Sequence, residues 1–200
     1  GGSINTVLKR AGDVPLTRLT TTFMSQANLA AHLDVGRRFG EDNQWGVRVN
    51  GLVRGGEGTI DEGKQNLNLG SVALDYAGAR TRWSLDAMAT RGQTDNFRNH
   101  ITLPAAVAIP AVPDTRTAWY PGTQLKDNFK LMTSRLEHDI TDSTTLYGGV
   151  GWSKLDYMQD FPGGSGLNAA GDFTVRNAWY DHFTASKPAD AGLRTRFTTG

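Results

Sequence analysis

Lys130-Leu131-Met132-Thr133-Ser134-Arg135-Leu136-Glu137-His138-Asp139-Ile140-Thr141-Asp142-Ser143-Thr144-Thr145-Leu146-Tyr147-Gly148-Gly149-Val150-Gly151-Trp152-Ser153-Lys154 is the stretch that decides the fold. Leu136, Ile140, Leu146, Val150 and Trp152 fall at even spacing, and Arg135, Glu137, Asp139, Tyr147 and Ser153 lie between them. A period of two marks a strand with unlike faces. Thr141-Asp142-Ser143-Thr144 separates the two halves, and such short polar side chains hydrogen-bond a reversing backbone. The stretch is a β-hairpin. Taken alone, it fits a soluble hairpin as well as any other.

The same alternation extends in both directions. Thr17, Leu19, Thr21 and Phe23 form one face of a segment whose other face is Arg18, Thr20 and Thr22. Leu29, Ala31, Leu33, Val35 and Phe39 alternate with His32, Asp34 and Arg38; Trp45, Val47, Val49 and Val53 alternate with Arg48, Asn50 and Arg54. Residues 66–76 change parity between Leu67-Leu69 and Val72-Leu74-Tyr76, so a bulge is expected near Gly70-Ser71. Trp83, Leu85, Ala87 and Ala89 alternate with Arg82, Ser84, Asp86 and Thr90. A last strand region begins near Phe173, and Ala189, Ala191, Leu193 and Phe197 alternate with Asp190, Arg194 and Arg196. Pro188 there argues for an edge, a bulge or an exposed extension. Residues 1–10 read as a short strand before a linker at 11–15.

Composition narrows the class. The chain has 200 residues with 24 glycines, a pattern that suits an all-β fold. Twenty-one basic and 20 acidic residues leave a net charge of +1, which gives no electrostatic case for nucleic acid. Without cysteine there is no disulfide and no thiolate chemistry. No run reaches the ~20 apolar residues of a membrane-spanning helix. A mean hydropathy of −0.42 fits a soluble protein, and equally a membrane barrel whose strands give only alternate residues to lipid.

Short connections at 40–44, 77–81, 141–144 and 198–200 alternate with long ones at 55–64, 92–127 and 158–172. In an antiparallel sheet this places the short turns at one end and the long loops at the other, the plan of an outer-membrane barrel. Trp45, Trp83 and Trp152 then read as interfacial anchors. Arg48, Arg54, Arg82, Asp86, Arg135 and Glu137 read as lumen-facing, or as the solvated face of a soluble sheet.

Gly1-Gly2-Ser3-Ile4-Asn5-Thr6-Val7-Leu8-Lys9-Arg10, followed by Pro15-Leu16, resembles the end of the plug domain in TonB-dependent siderophore receptors. Leu33-Asp34-Val35, Val47-Arg48-Val49-Asn50-Gly51, Tyr120-Pro121-Gly122, Leu136-Glu137-His138 and Ala191-Gly192-Leu193-Arg194 continue the resemblance, which is to the ferrichrome and hydroxamate type. It implies an all-β fold: a fragment of an antiparallel transmembrane β-barrel, about eight of 22 strands, with the last strand of a plug. Residues 1–15 would end the plug and its linker, and 16–200 would open the barrel. The implied role is uptake of ferric siderophores across the bacterial outer membrane, with no chemical conversion. Its partners would be the ferric siderophore, outer-membrane lipid and TonB, the last through sequence upstream, with the protein monomeric. The protein would need no cofactor, since iron arrives already chelated. The alternatives are a complete eight-stranded outer-membrane barrel with a structural or adhesive role, and a soluble β-sandwich binding module.

Enzyme motifs are incomplete. Residues 58–65 approach a phosphate-binding loop, but Gln65 replaces the required hydroxyl and Asp61-Glu62 would repel phosphate. Gly163-Gly164-Ser165-Gly166 is followed by Leu167, so it is not a nucleophile elbow. His32, His100, His138 and His182 lack ligand-spaced partners, which speaks against a protein metal site. The functional stretch is 92–127, where Phe97, Arg98, His100, Trp119 and Tyr120 are the candidate siderophore contacts. Rings and cations suit a flat, anionic chelate. In hydroxamate receptors an aromatic pair precedes the Leu-Pro of this loop. Here Asn99-His100-Ile101-Thr102 precede Leu103-Pro104. Trp119 and Tyr120 could instead pack the loop.

Overall fold

The computed structural model describes residues 7–24, 27–97, 102–105, 107–109, 111 and 114–197. Its strands are β1 (Leu16–Met24), β2 (Asn28–Phe39), β3 (Trp45–Glu57), β4 (Lys64–Ala77), β5 (Thr81–Asp95), β6 (Gln124–Asp139) and β7 (Thr144–Asp160), then β8 (Gly163–Ser165), β9 (Thr174–Arg176), β10 (Trp179–Ser186) and β11 (Ala189–Thr195). β1 to β7 form an antiparallel meander, and β10 and β11 both pair with β7. The register of β10 on β7 continues unchanged into β11, so the two are one strand broken at Lys187-Pro188. Pro188 still accepts a ladder bond, from the Gly151 amide at 2.8 Å. Among the described residues the path from β1 to β10 and β11 is open, and the one further sheet is the small β8–β9 hairpin. Neither a closed eight-stranded barrel nor a sandwich has this topology.

Several boundaries differ from those expected. β3 runs on through Glu57, β4 begins at Lys64, β5 reaches Asp95 and β6 begins at Gln124, so the long connections are shorter than the composition suggests. Strand pairing carries the ladder past the last apolar residue. Gly56 permits one such extension: at φ +145 it passes so close to Ala27 and Asn28 that a Cβ would collide with their backbone. The expected bulge at Gly70-Ser71 is absent, because β3 and β4 pair without a skip from Trp45↔Tyr76 to Glu57↔Lys64. Of the expected strand over 1–10, residues 1–6 lie outside those described, and Val7–Arg10 is not in a strand.

The change of parity in β4 has another cause. Leu33, Val49, Val53, Val72, Met132, Leu136, Leu146 and Val150 are all exposed, and by register all lie on one face. Across the upper part of that same face run Asn66 and Asn68 of β4, Arg91 and Gln93 of β5, and Lys126 and Asn128 of β6. On this face the apolar surface therefore gives way to polar side chains partway up β4, β5 and β6. Leu67 and Leu69 point the other way, toward the lumen. There Leu52, Leu69, Phe129 and Leu155 share one cross-strand row, an apolar strip on a face expected to be polar.

The limit of the apolar band slopes across the sheet. On β1 it lies at Phe23, whose row runs through Leu29, Gly55, Asn66 and Gln93 to Lys126; on β6 it lies at Met132, six residues lower. At ~3.3 Å per residue and ~4.8 Å per strand, this is a tilt of roughly 40°, as in membrane barrels. At the short-turn end Trp45, Tyr76 and Trp83 form an aromatic cluster, with Trp45 4.9 Å from Tyr76 and 6.2 Å from Trp83. Trp152, level with Met132, marks the opposite limit.

Candidate functional site

Inside the wall, charge is arranged by register. Arg48 donates to both oxygens of Asp34, at 2.8 and 2.7 Å, and Asp34 is 1% exposed. Arg38 meets Asp75 at 2.9 Å, and Arg82 makes a forked contact with Asp139 at 2.6 and 2.7 Å. Arg135 reaches Glu137 and Asp190, both at 3.3 Å. The segment before β1 lies on this face. Arg10 grips Asp86 with both nitrogens, at 2.5 and 2.7 Å, while the Arg10 carbonyl accepts from Arg48 and the Ala11 carbonyl from Arg38. A desolvated, forked pair such as Arg48–Asp34 fixes position as well as charge.

At the long-loop end, two connections are stitched together. In the 58–63 turn the Gly58 amide donates to the Gly63 carbonyl at 2.7 Å, and Glu62 turns through a left-handed φ of 58. The Asp61 amide donates to the Arg116 carbonyl, and the Arg116 side chain returns to the Asp61 carboxylate at 2.6 Å. That carboxylate holds the Arg116 guanidinium above its usual pKa. Asn96 binds across the gap three ways. Its side-chain amide donates to the Glu62 carbonyl at 3.0 Å, its side-chain oxygen accepts from Gly122 at 2.7 Å, and its backbone amide donates to Thr123 at 2.8 Å. The loop therefore has a fixed base.

The candidate contacts separate on this base. Phe97 stacks on Phe161 with ring centroids 5.5 Å apart. Trp119 is half-buried at the rim. Tyr120 is buried, and among the described residues its hydroxyl has no hydrogen-bond partner. Arg98 and His100 lie outside the described residues. Sequence reasoning assigned no ion-pair or loop-fixing role to Asp61, Asn96, Arg116 or Phe161, nor to Asp34, Asp75, Asp139 and Arg10. Their partners are distant in sequence, 76 residues in the case of Arg10 and Asp86; strand register brings the wall pairs together, and the connections bring together Asp61 with Arg116 and Phe97 with Phe161. Among the described residues no group of three or more histidines, aspartates or glutamates could hold a metal ion.

No family model matches the chain. It is 35% identical over 203 residues to the ferrichrome receptor FcuA of Yersinia enterocolitica, a match covering the whole of this chain and 26% of that protein. It superposes on BauA, the ferric preacinetobactin receptor of Acinetobacter baumannii, with a TM-score of 0.91 and 32% identity, over 96% of this chain and 29% of BauA. The chain belongs to the TonB-dependent siderophore receptors. Its wall has their barrel fold, and its place is the outer membrane. Fiu, the ferric-catecholate import receptor of E. coli, shares the fold at a TM-score of 0.82 and 20% identity, over 99% of this chain and 31% of Fiu. The chain spans only about a quarter of the length of the siderophore receptor it matches in sequence.

Proposed function

We propose that this chain is one side of the wall of a receptor that takes up ferric siderophores by a TonB-dependent route. The observation that carries the reading is the kinship to a ferrichrome receptor along the whole chain, joined to an open, tilted sheet with an apolar outer face. Residues 1–15 would close the plug, with Arg10 clamping its end to Asp86, and 16–200 would form the first part of the barrel. The chelate would dock at the long-loop mouth against Phe97, Arg98, His100, Trp119 and Tyr120. Iron comes and goes inside its chelator, so the protein supplies shape, rings and charge and makes or breaks no bond. TonB, acting on the plug, would release the cargo inward, and the receptor would work as a monomer.

The test is a fluorescence-quenching titration of the full-length receptor with ferric hydroxamates and ferric catecholates, beside uptake in cells with and without TonB. Saturable binding of one class with TonB-dependent uptake supports the reading. Binding of neither, or uptake indifferent to TonB, overturns it.

A further inference from the structure

Aromatic side chains gather on one sector of the lumen-facing wall, below the mouth. Phe129 and Leu155 share an inward row. The next inward row up carries Arg54, Asp127, Tyr157 and His182, and the one above it Gln159 and Tyr180. The Phe161 amide donates to the Ala178 carbonyl at 2.8 Å, so the β7–β10 ladder runs on and Phe161 shares a column with Tyr157 and Gln159. At ~3.3 Å per residue the column from Leu155 to Phe161 is roughly 20 Å high. On β1 to β5 the same three rows hold no phenylalanine, tyrosine or tryptophan.

The rings are held in place yet accessible. Tyr157 donates its hydroxyl to the Gln159 side chain at 2.9 Å, which ties the phenol along the wall, and its ring lies 5.0 Å from that of His182 at a tilt of 43°. Tyr180 is 52% exposed, and Phe97 closes the head of the column by stacking on Phe161. Rings already fixed by their neighbours stack on a ligand ring at little further cost in entropy. Charge on this surface is balanced. Among the described residues the three rows hold one arginine, Arg54, and one carboxylate, Asp127, with no lysine, and neither charge has an ion-pair partner. Gly92 leaves open the space that the Asp127 carboxylate occupies.

Within the uptake reading above, on which this rests, we infer that the sector selects a ferric chelate that carries an aryl ring and little net charge. An aryl group stacks on Tyr157, Tyr180 and the Phe97–Phe161 pair, and such contacts exceed what an alkyl group of equal area gains. A ferric tris-catecholate has rings as well, but it is a trianion. Against a wall without net positive charge it loses hydration that nothing offsets, and Asp127 repels it. A neutral ferric trihydroxamate with alkyl arms avoids that cost and gives the rings nothing to stack on.

The test titrates the full-length receptor by fluorescence quenching with ferric tris-benzohydroxamate, ferric tris-cyclohexanecarbohydroxamate and ferric tris-catecholate, each with free ligand in excess. The first two are neutral and alike in bulk, and only the first has aromatic rings; the third has rings and is a trianion. Ferric tris-benzohydroxamate binds on the order of tenfold more tightly than its cyclohexyl counterpart, and more tightly than the catecholate. Tyr157→Leu combined with Tyr180→Leu removes the preference for aryl over cyclohexyl, with heat-resistant gel mobility confirming the folded barrel. Asp127→Asn narrows the gap between the catecholate and the benzohydroxamate. Equal binding of the aryl and cyclohexyl chelates, tightest binding of the catecholate, or a preference that neither substitution moves overturns the inference. TonB-dependent uptake of alkyl trihydroxamates alone overturns it and leaves the uptake reading standing, whereas binding of no chelate overturns both.

Discussion

Asp34 and Arg48 are the charged pair on which the inner wall most depends. Asp34 is almost wholly removed from solvent, and Arg48 in turn holds the Arg10 carbonyl. Removing one partner of such a pair leaves the other uncompensated. Asp34→Ala is expected to lower the stability of the full receptor by about 3 kcal/mol, read as loss of heat-resistant gel mobility, with Arg48→Met on top of it recovering part of the loss. The Asp61–Arg116 pair is a contrast, since both side chains are more than half exposed. Arg116→Ala should leave Tm unchanged but expose the 96–123 connection to protease on intact cells. Unchanged cleavage would mean that the backbone bonds around Asn96 suffice.

Strands show what sequence could and could not reveal. Alternation located every strand from β1 to β7, because each lies between lipid and lumen and its two faces must differ. It failed where the strand leaves the membrane. Leu67 and Leu69 look misplaced only if the outer face is assumed apolar along its whole length; with Asn66 and Asn68 in water, the parity change needs no bulge. The mouth was less legible, since Phe161 and Asp61 meet their partners through loops that carry no periodicity. Outward and inward positions are expected to differ in tolerance. Val49→Lys, on the lipid face, should cost about 2–4 kcal/mol and depress refolding into lipid. Ser71→Lys, facing the lumen, should fold with nearly unchanged yield, and equal losses would reverse the assignment of faces.

At the scale of the whole molecule, the alternation of connections predicts one orientation by the plan of outer-membrane barrels, short turns inside and long loops out. The chain has no cysteine, so single cysteines report this directly. Gln93→Cys and Lys126→Cys should react on intact cells with a maleimide that cannot cross the membrane. Val49→Cys should stay unlabelled, and Asp142→Cys should react only once the outer membrane is opened. Labelling of Asp142→Cys on intact cells would invert the barrel.

The wall is also higher than the membrane needs. β6 has 16 residues and β7 has 17, yet above Lys130 and Lys154 their outer faces carry Gln124, Lys126, Asn128, Asp156 and Asp160, with Met158 the one apolar side chain. The upper reaches of both strands stand clear of the lipid as rigid, hydrogen-bonded sheet. Folded antigen is therefore displayed on the bacterial surface as well as flexible loop, and antibodies that recognise it should need its strand conformation, binding intact cells but not a denatured blot.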